Sequence, residues 1–367
     1  MSSVAAPSRV SDQIVGELLW RSSVKPRYIP EPGRSAGIAS QKEVALPFLS
    51  SNFHLGLRRR AKALLKRAMQ SKPDTKRPFE LCFIIGAQRS GTTWLQMLCA
   101  AHPKMAGGEE SHIFSKYLPP IVQTYYDQLA DSSDRSRAQG LPCYLTTNDF
   151  NDVCRTFVYG ALGKLFQQKP GATMLVEKTP DHCLHIGFIR QLFPDAKMIH
   201  IIRDPRDVVI SQLEAAKKPW GAGWAAKDAE EVAQRWVKWV TRGREWRFEK
   251  NPYLEVRYEA LKKDGARLLE QVYRFVGLPL PENGAEQIYK QFSLADCAAG
   301  RAPNVMIRCG AVGFDAQTAT KPEGFFRSSD PKSAKVTLSD EDLETVERIC
   351  APLMKELGYP LRAAATV

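Results

Sequence analysis

The stretch Phe83–Leu95, FIIGAQRSGTTWL, constrains this chain more than any other. An apolar run ends at Gly86, four residues separate Gly86 from Gly91, and an amphipathic run follows Thr92 and Thr93. The pattern predicts a buried strand, a tight turn and the start of a helix. Such a turn aims backbone N–H groups and the positive end of a helix at an anion. The spacing is that of a nucleotide phosphate loop, but Thr92 stands where that loop carries lysine. The cation lies inside the loop instead, at Arg89. A loop of this composition suits a phosphate-like group rather than the β/γ-phosphates of ATP with Mg²⁺.

A second anion signal is IIRDPRDVVIS, residues 201–211. Arg203 ends an apolar run that predicts a strand, and Ser211 lies two turns into the helix that opens at Pro205. Arginine offers a planar fork of donors to a phosphate dianion, and a hydroxyl can complete the cage. Taken alone, an Arg-Asp pair at a strand end is as well explained by a structural ion pair. Together with the Arg89 loop it implies two anion sites at the ends of strands in one sheet.

The rest of the body alternates strand and helix patterns. Strands are expected near 81–86, 172–177, 197–203 and 253–257. Helices are expected near 91–101, 113–128, 150–167, 182–193 and 225–247, and again up to about 290. Residues 294–336 are loop-rich, and a last helix opens at Thr337 to Asp340 and stops at Gly358. The alternation implies an α/β, P-loop-like three-layer fold with a central parallel sheet flanked by helices, and ligands at the carboxyl ends of its strands.

Of the net charge of +12, residues 1–80 carry +9, from 15 Lys/Arg and 6 Asp/Glu. We therefore divide the chain into a basic N-terminal extension, 1–78, and a catalytic body, 79–367. The near-neutral body argues against a nucleic-acid coat. Residues 53–69, FHLGLRRRAKALLKRAM, have helical period with an apolar stripe and a basic face. That helix either packs on the body or makes peripheral contact with an anionic membrane. The eight cysteines form no C-x-x-C pair and no metal-ligand spacing, so free thiols in a reducing compartment are expected. With no signal peptide or apolar span, the expected location is cytoplasmic.

The pair GAQRSGTTWL and IIRDPRDVVIS resembles the sulfotransferases that use 3′-phosphoadenosine 5′-phosphosulfate (PAPS), over about residues 80–360. The resemblance implies that Arg89, Ser90, Gly91, Thr92 and Thr93 hold the 5′-phosphosulfate. It implies that Arg203 and Ser211 hold the 3′-phosphate, and that no metal is needed. The segment GGEESHIF at 107–114 is similar to the Glu-Glu of protein-tyrosine sulfotransferases and to the E-x-H-x-F of heparan-type enzymes. In both comparisons the matching general base is Glu110, 21 residues after Arg89. Glu109 is the lesser alternative, and His112 either orients the acceptor or packs in the core. VEKTP, 176–180, is similar to the heparan-type Glu-Lys-Ser/Thr-Pro stretch and places Lys178 near the transferred group. Tyr258 in VRYEAL resembles a residue near adenine, and Arg327, with Lys332 and Lys335, is a candidate to close the 3′-phosphate site.

The implied reaction is in-line sulfuryl transfer from PAPS to a hydroxyl-bearing acceptor: carbohydrate, tyrosine, lipid-linked or small molecule. The histidine context of the cytosolic small-molecule enzymes is absent. One rival is a P-loop small-molecule kinase, which would need a Walker-type lysine and Mg²⁺ ligands. The other is a basic membrane or nucleic-acid adaptor, which would leave Glu110 and Lys178 without a role. Nucleic acid is not an expected partner, and neither acceptor identity nor oligomeric state has a sequence signature.

Overall fold

Strand β1 (Glu80–Ile85) is buried from Leu81 to Ile85 on both of its faces, which is why its sequence is an unbroken apolar run. It is the centre of the sheet in a computed structural model that describes residues 77–132, 137–248, 250–282, 284–310, 321–326 and 337–362. The helix expected at 53–69 lies outside those residues, as do Arg327, Lys332 and Lys335. The division expected at 78/79 falls at their edge.

The elements alternate along the chain. After β1 come α1 (Thr92–Ala100), β2 (Met105–Gly108), a π-turn (Ile113–Tyr117), α2 (Leu118–Asp131), α3 (Thr147–Gly163) and the short α4 (Leu165–Gln168). Then follow β3 (Met174–Lys178), a 3₁₀ turn (Pro180–Leu184), α5 (Ile186–Leu192), β4 (Lys197–Ile202), α6 (Pro205–Ala216) and α7 (Ala229–Arg244). The remainder is β5 (Tyr253–Arg257), α8 (Tyr258–Lys263), α9 (Gly265–Val276), α10 (Gly284–Gln291), α11 (Leu294–Ala298), β6 (Met306–Ile307) and α12 (Asp340–Glu356).

Six strands form one sheet in the order β5-β4-β1-β3-β2-β6. Every pairing is parallel, so all the strand tips that carry function lie along one edge. Alternate residues of a strand face opposite sides. Ile199 and Ile201 of β4 thus join Trp94, Leu98, Tyr273 and Phe292 in one core, beneath α1, α9 and α10. Ile202 instead joins Val208, Trp236, Val240 and Met354 in a second, beneath α6, α7 and α12.

The carboxyl end of α1 is tied down by Lys169. Its ammonium donates to the carbonyls of Ala100 at 2.6 Å, His102 at 2.8 Å and Met105 at 2.7 Å. These include last-turn acceptors that the helix leaves unpaired.

Residues 118–151 belong to a separate compact unit. Within it Tyr125 stacks on Phe150 with ring centres 3.9 Å apart, and its hydroxyl donates to the Leu145 carbonyl at 3.1 Å. The body, 74–117 with 152–367, holds the sheet and all the site residues described below. No described helix is long and apolar enough to cross a membrane.

Candidate active site

The turn after β1 is held by its own backbone. Arg89 adopts φ 68, a left-handed conformation costly for a non-glycine residue, and the Ser90 amide donates to the Ala87 carbonyl at 3.1 Å. Gly91 caps α1 at φ 94 with no side-chain cap, so the first-turn amides of the helix lack a partner from the cap. A Cβ at Gly91 would sit 2.5 Å from the ring of Tyr258. Only glycine fits between that ring and the helix start.

Arg203 leaves the tip of β4 beside this turn. Its Nη1 donates to the Arg89 carbonyl at 3.1 Å, and its guanidinium lies 4.3 Å from the centre of the Tyr258 ring. The Trp236 indole donates to the Arg203 carbonyl at 3.0 Å, which fixes the strand end from below. The next residue, Asp204, is the N-cap of α6 and accepts from the Arg206 amide at 2.9 Å. Asp204 also pairs with the Arg206 side chain at 2.6 Å, so the aspartate of the Arg-Asp-Pro run is spent on Arg206 and the helix start. The charge partner of Arg203 is Asp207, 3.4 Å away and half exposed.

The two anion cradles expected to be separate touch one another. Arg89 Nε donates to the Ser211 hydroxyl at 3.0 Å and Nη2 to the Phe325 carbonyl at 2.5 Å. The same guanidinium faces the rings of Phe325 and Trp220, at 4.9 and 5.5 Å.

On the other side of β1, the register of β2 on β3 pairs Gly107 with Val176. This brings Glu110, just past β2, to Lys178, the last residue of β3, and their side chains form an ion pair. Lys178 is only 3% exposed and Glu110 36%, so the carboxylate reaches outward from an ammonium set beneath it. The second Glu110 oxygen lies 3.7 Å from His112 Nε2. Glu109 faces the other way, to Arg308 and Lys321, each at 2.7 Å. Burial would raise its carboxyl, but Lys321 and Arg308 hold it below the usual carboxylate value.

Next to Lys178 on β3 is Glu177, which is buried. One of its oxygens accepts from the Ser111 hydroxyl at 2.8 Å, the Thr179 hydroxyl at 2.6 Å and the Ser111 amide at 3.3 Å. The other lies 2.9 Å from His182 Nδ1. Burial works to raise this carboxyl, yet His182 and the Thr179 and Ser111 donors bring it down to about 2.

A cavity of about 490 Å³ opens over the strand tips. Arg89, Gly91, Thr92, Thr93, Arg203, Ser211, Tyr258 and Glu110 all line it, with His112 beside Glu110. Ser90 and Lys178 do not: both side chains are buried behind the wall. The buried Ser90 hydroxyl and Arg203 Nε have no hydrogen-bond partner among the described residues. The donor set therefore fits a ligand with anionic groups at both ends of the turn.

Sequence reasoning did not single out the wall made by Trp224, Phe325 and Phe326, or Lys116 and Asp181. Asp181 directly follows the VEKTP stretch, and its Oδ1 is buried without a hydrogen-bond partner among the described residues. Its position in the sequence was a usable signal, whereas the aromatic residues come from loops with no period.

A putative protein-tyrosine sulfotransferase of Caenorhabditis briggsae is 27% identical over 203 residues, 54% of this chain and 66% of that protein. Protein-tyrosine sulfotransferase 1 of Danio rerio is 24% identical over 200 residues, 54% of this chain and 53% of that one. The chain thus spans between half and two thirds of the length of these relatives. A mouse sulfotransferase crystallised with PAP superposes at a TM-score of 0.47 with 15% identity, over 80% of this chain and 90% of that one. A family model described as "Sulfotransferase family" matches residues 82–282. Since that match takes in more than half of the 367 residues, the chain belongs to the sulfotransferase family.

Proposed function

We propose that the protein transfers a sulfuryl group from PAPS to an acceptor hydroxyl, with Glu110 as general base. The observation that carries this reading is the Glu110–Lys178 pair, whose carboxylate lines the cavity that Arg89, Arg203 and Ser211 also line and whose ammonium lies behind the wall. As the acceptor oxygen bonds to sulfur, its proton passes to Glu110 and the bond from sulfur to the 5′-phosphate oxygen breaks. A carboxylate within hydrogen-bond reach is a competent acceptor for that proton.

Arg203 and Ser211 are assigned to the 3′-phosphate. Arg89 and the first-turn amides of α1, at Thr92 and Thr93, are assigned to the 5′-phosphosulfate. Arg89 would exchange its bond to Ser211 or Phe325 for the ligand, and Lys178 would reach the departing oxygen by turning its ammonium past Glu110 into the cavity. Fixed donors of this kind act on charge as it develops. Tyr258 supports the nucleotide from beneath Arg203. The names of the relatives favour a tyrosine hydroxyl as the first acceptor to assay.

Thermal stability measured with PAP, and separately with ATP plus Mg²⁺, tests the donor. Stabilisation by PAP is expected, and stabilisation by ATP alone would favour a kinase instead. Glu110→Gln should abolish transfer while PAP still binds.

A further inference from the structure

Glu177 is a buried charge that the proposed chemistry does not use. Burying a carboxylate is costly unless donors satisfy it, so its partners show what it is for. They are Ser111, the residue after Glu110, and Thr179, the residue after Lys178. Each partner then takes up a further amide of the Glu110 loop. The Ser111 hydroxyl accepts from the Ile113 amide at 3.3 Å, and the Thr179 hydroxyl from the His112 amide at 3.4 Å. Between them His112 stands at φ 52, a backbone conformation that a non-glycine residue keeps only where its surroundings enforce it.

We propose that Glu177 is a positioning residue that locks the Glu110 loop to the Lys178 strand end through Ser111 and Thr179. The inference rests on the reading of Glu110 as general base. The pair is otherwise joined by one ion pair between two long side chains, one of them over a third exposed. Glu177 supplies the missing rigidity from below, with His182, packed against Phe83 and Phe114, 2.9 Å from its second oxygen. A base misplaced by about 1 Å loses on the order of 100-fold in rate, so such a brace has leverage on turnover without touching substrate.

The test uses the full chain and follows ³⁵S transfer from PAPS to a tyrosine-bearing peptide and to water, PAP affinity by calorimetry, and amide hydrogen exchange. Ser111→Ala removes the 2.8 Å bond and leaves Glu177 its Thr179 and His182 contacts. The expected result is a fall in transfer of about tenfold or more, by the same positional argument. It should come with faster exchange at residues 110–113 and unchanged PAP affinity, in a chain still folded at the assay temperature although the lost hydrogen bond lowers its melting point somewhat. Ser111→Thr should restore the rate, and Glu177→Gln should reproduce the loss more strongly. Unchanged exchange at 110–113 in Ser111→Ala overturns the proposal, as does a loss of transfer that only tracks lost PAP affinity or melting temperature. Glu110→Gln, run alongside, separates the two ideas. If it keeps turnover, the base assignment fails. If it is inactive while Ser111→Ala transfers at the wild-type rate, only the role of Glu177 falls.

Discussion

Nη1 of Arg203 donates to the backbone carbonyl of Arg89 at 3.1 Å, so one presumed phosphate ligand braces the loop that carries the other. Arg203→Ala should therefore weaken PAP strongly and 5′-AMP slightly. Hydrogen bonds to charged groups contribute about 1.5–3 kcal/mol, which corresponds to roughly 10- to 100-fold for the bisphosphate. The loss for 5′-AMP reports only the loosened loop and should stay several-fold smaller. Equal losses by calorimetry would count against the 3′ assignment.

Gly91→Ala should damage both stability and nucleotide binding. The new methyl would meet the Tyr258 ring at 2.5 Å, in a backbone conformation of φ 94. Overpacking of this kind costs about 1–3 kcal/mol, visible as a lower urea midpoint at unchanged slope. Unaltered stability and PAP affinity would mean that the ring is free to withdraw.

Two buried groups predict loss of stability in acid: His200 alone between 6.5 and 4.5, and both together below that. Burial, then the charge of Arg244, holds His200 down to about 3 from an ordinary 6.5. The folded protein keeps it neutral while the unfolded chain takes up a proton, so stability falls as pH drops from 6.5 toward 3. Glu177, at about 2 against an ordinary 4.5, adds a second fall between 4.5 and 2. Urea midpoints across pH should lose the upper slope in His200→Asn and the lower one in Glu177→Gln. A slope that survives its own variant would assign the proton uptake elsewhere.

Thiol reactivity should divide the eight cysteines sharply. Cys143 and Cys309 are exposed, and the other six are buried. Burial pushes the Cys82 thiol up to about 12 despite nearby Lys197, which keeps it protonated and inert at neutral pH. A maleimide reagent under native conditions should label two positions, found by peptide mapping, and the rest only after unfolding.

The adjacent glutamates should separate cleanly. Glu109 is bound to Arg308 and Lys321, not to Lys178, so Glu109→Gln should lower the melting temperature and leave PAP affinity intact. Loss of transfer from Glu109→Gln without loss of stability would reverse the two assignments.

The central part of the fold was legible because β1, β3 and β4 each contain a run of apolar residues and their tips carry glycine, lysine or arginine. Strand β2 was not. Its sequence, MAGG, has no β-branched residue and two glycines, so local preference argues against a strand. Pairing with β3 and β6 on its two sides imposes the conformation. A Cβ at Gly107 would come 3.0 Å from the Ala100 methyl, so the glycines that hide the strand from a sequence reading are what let it lie against α1. The helix expected from 225 begins at Ala229, behind the cap Asp228, whose side chain accepts from the Glu231 amide at 2.7 Å. Glu177 left no trace in the sequence as a junction, because Ser111, through which it reaches the Glu110 loop, lies 66 positions away along the chain. Asp204, read in the sequence only as a possible ion-pair partner of an arginine, caps α6.

The close fit of Gly107 on Ala100 and of Gly108 on Leu165 has a further outcome at the strand tip. Neighbouring residues of an extended chain point to opposite sides, so sliding β2 by a single position would carry Glu109 to the place beside Lys178 and take Glu110 away from it. Two hydrogen atoms in place of side chains, within a strand of the sheet, thus select which of two neighbouring glutamates meets Lys178.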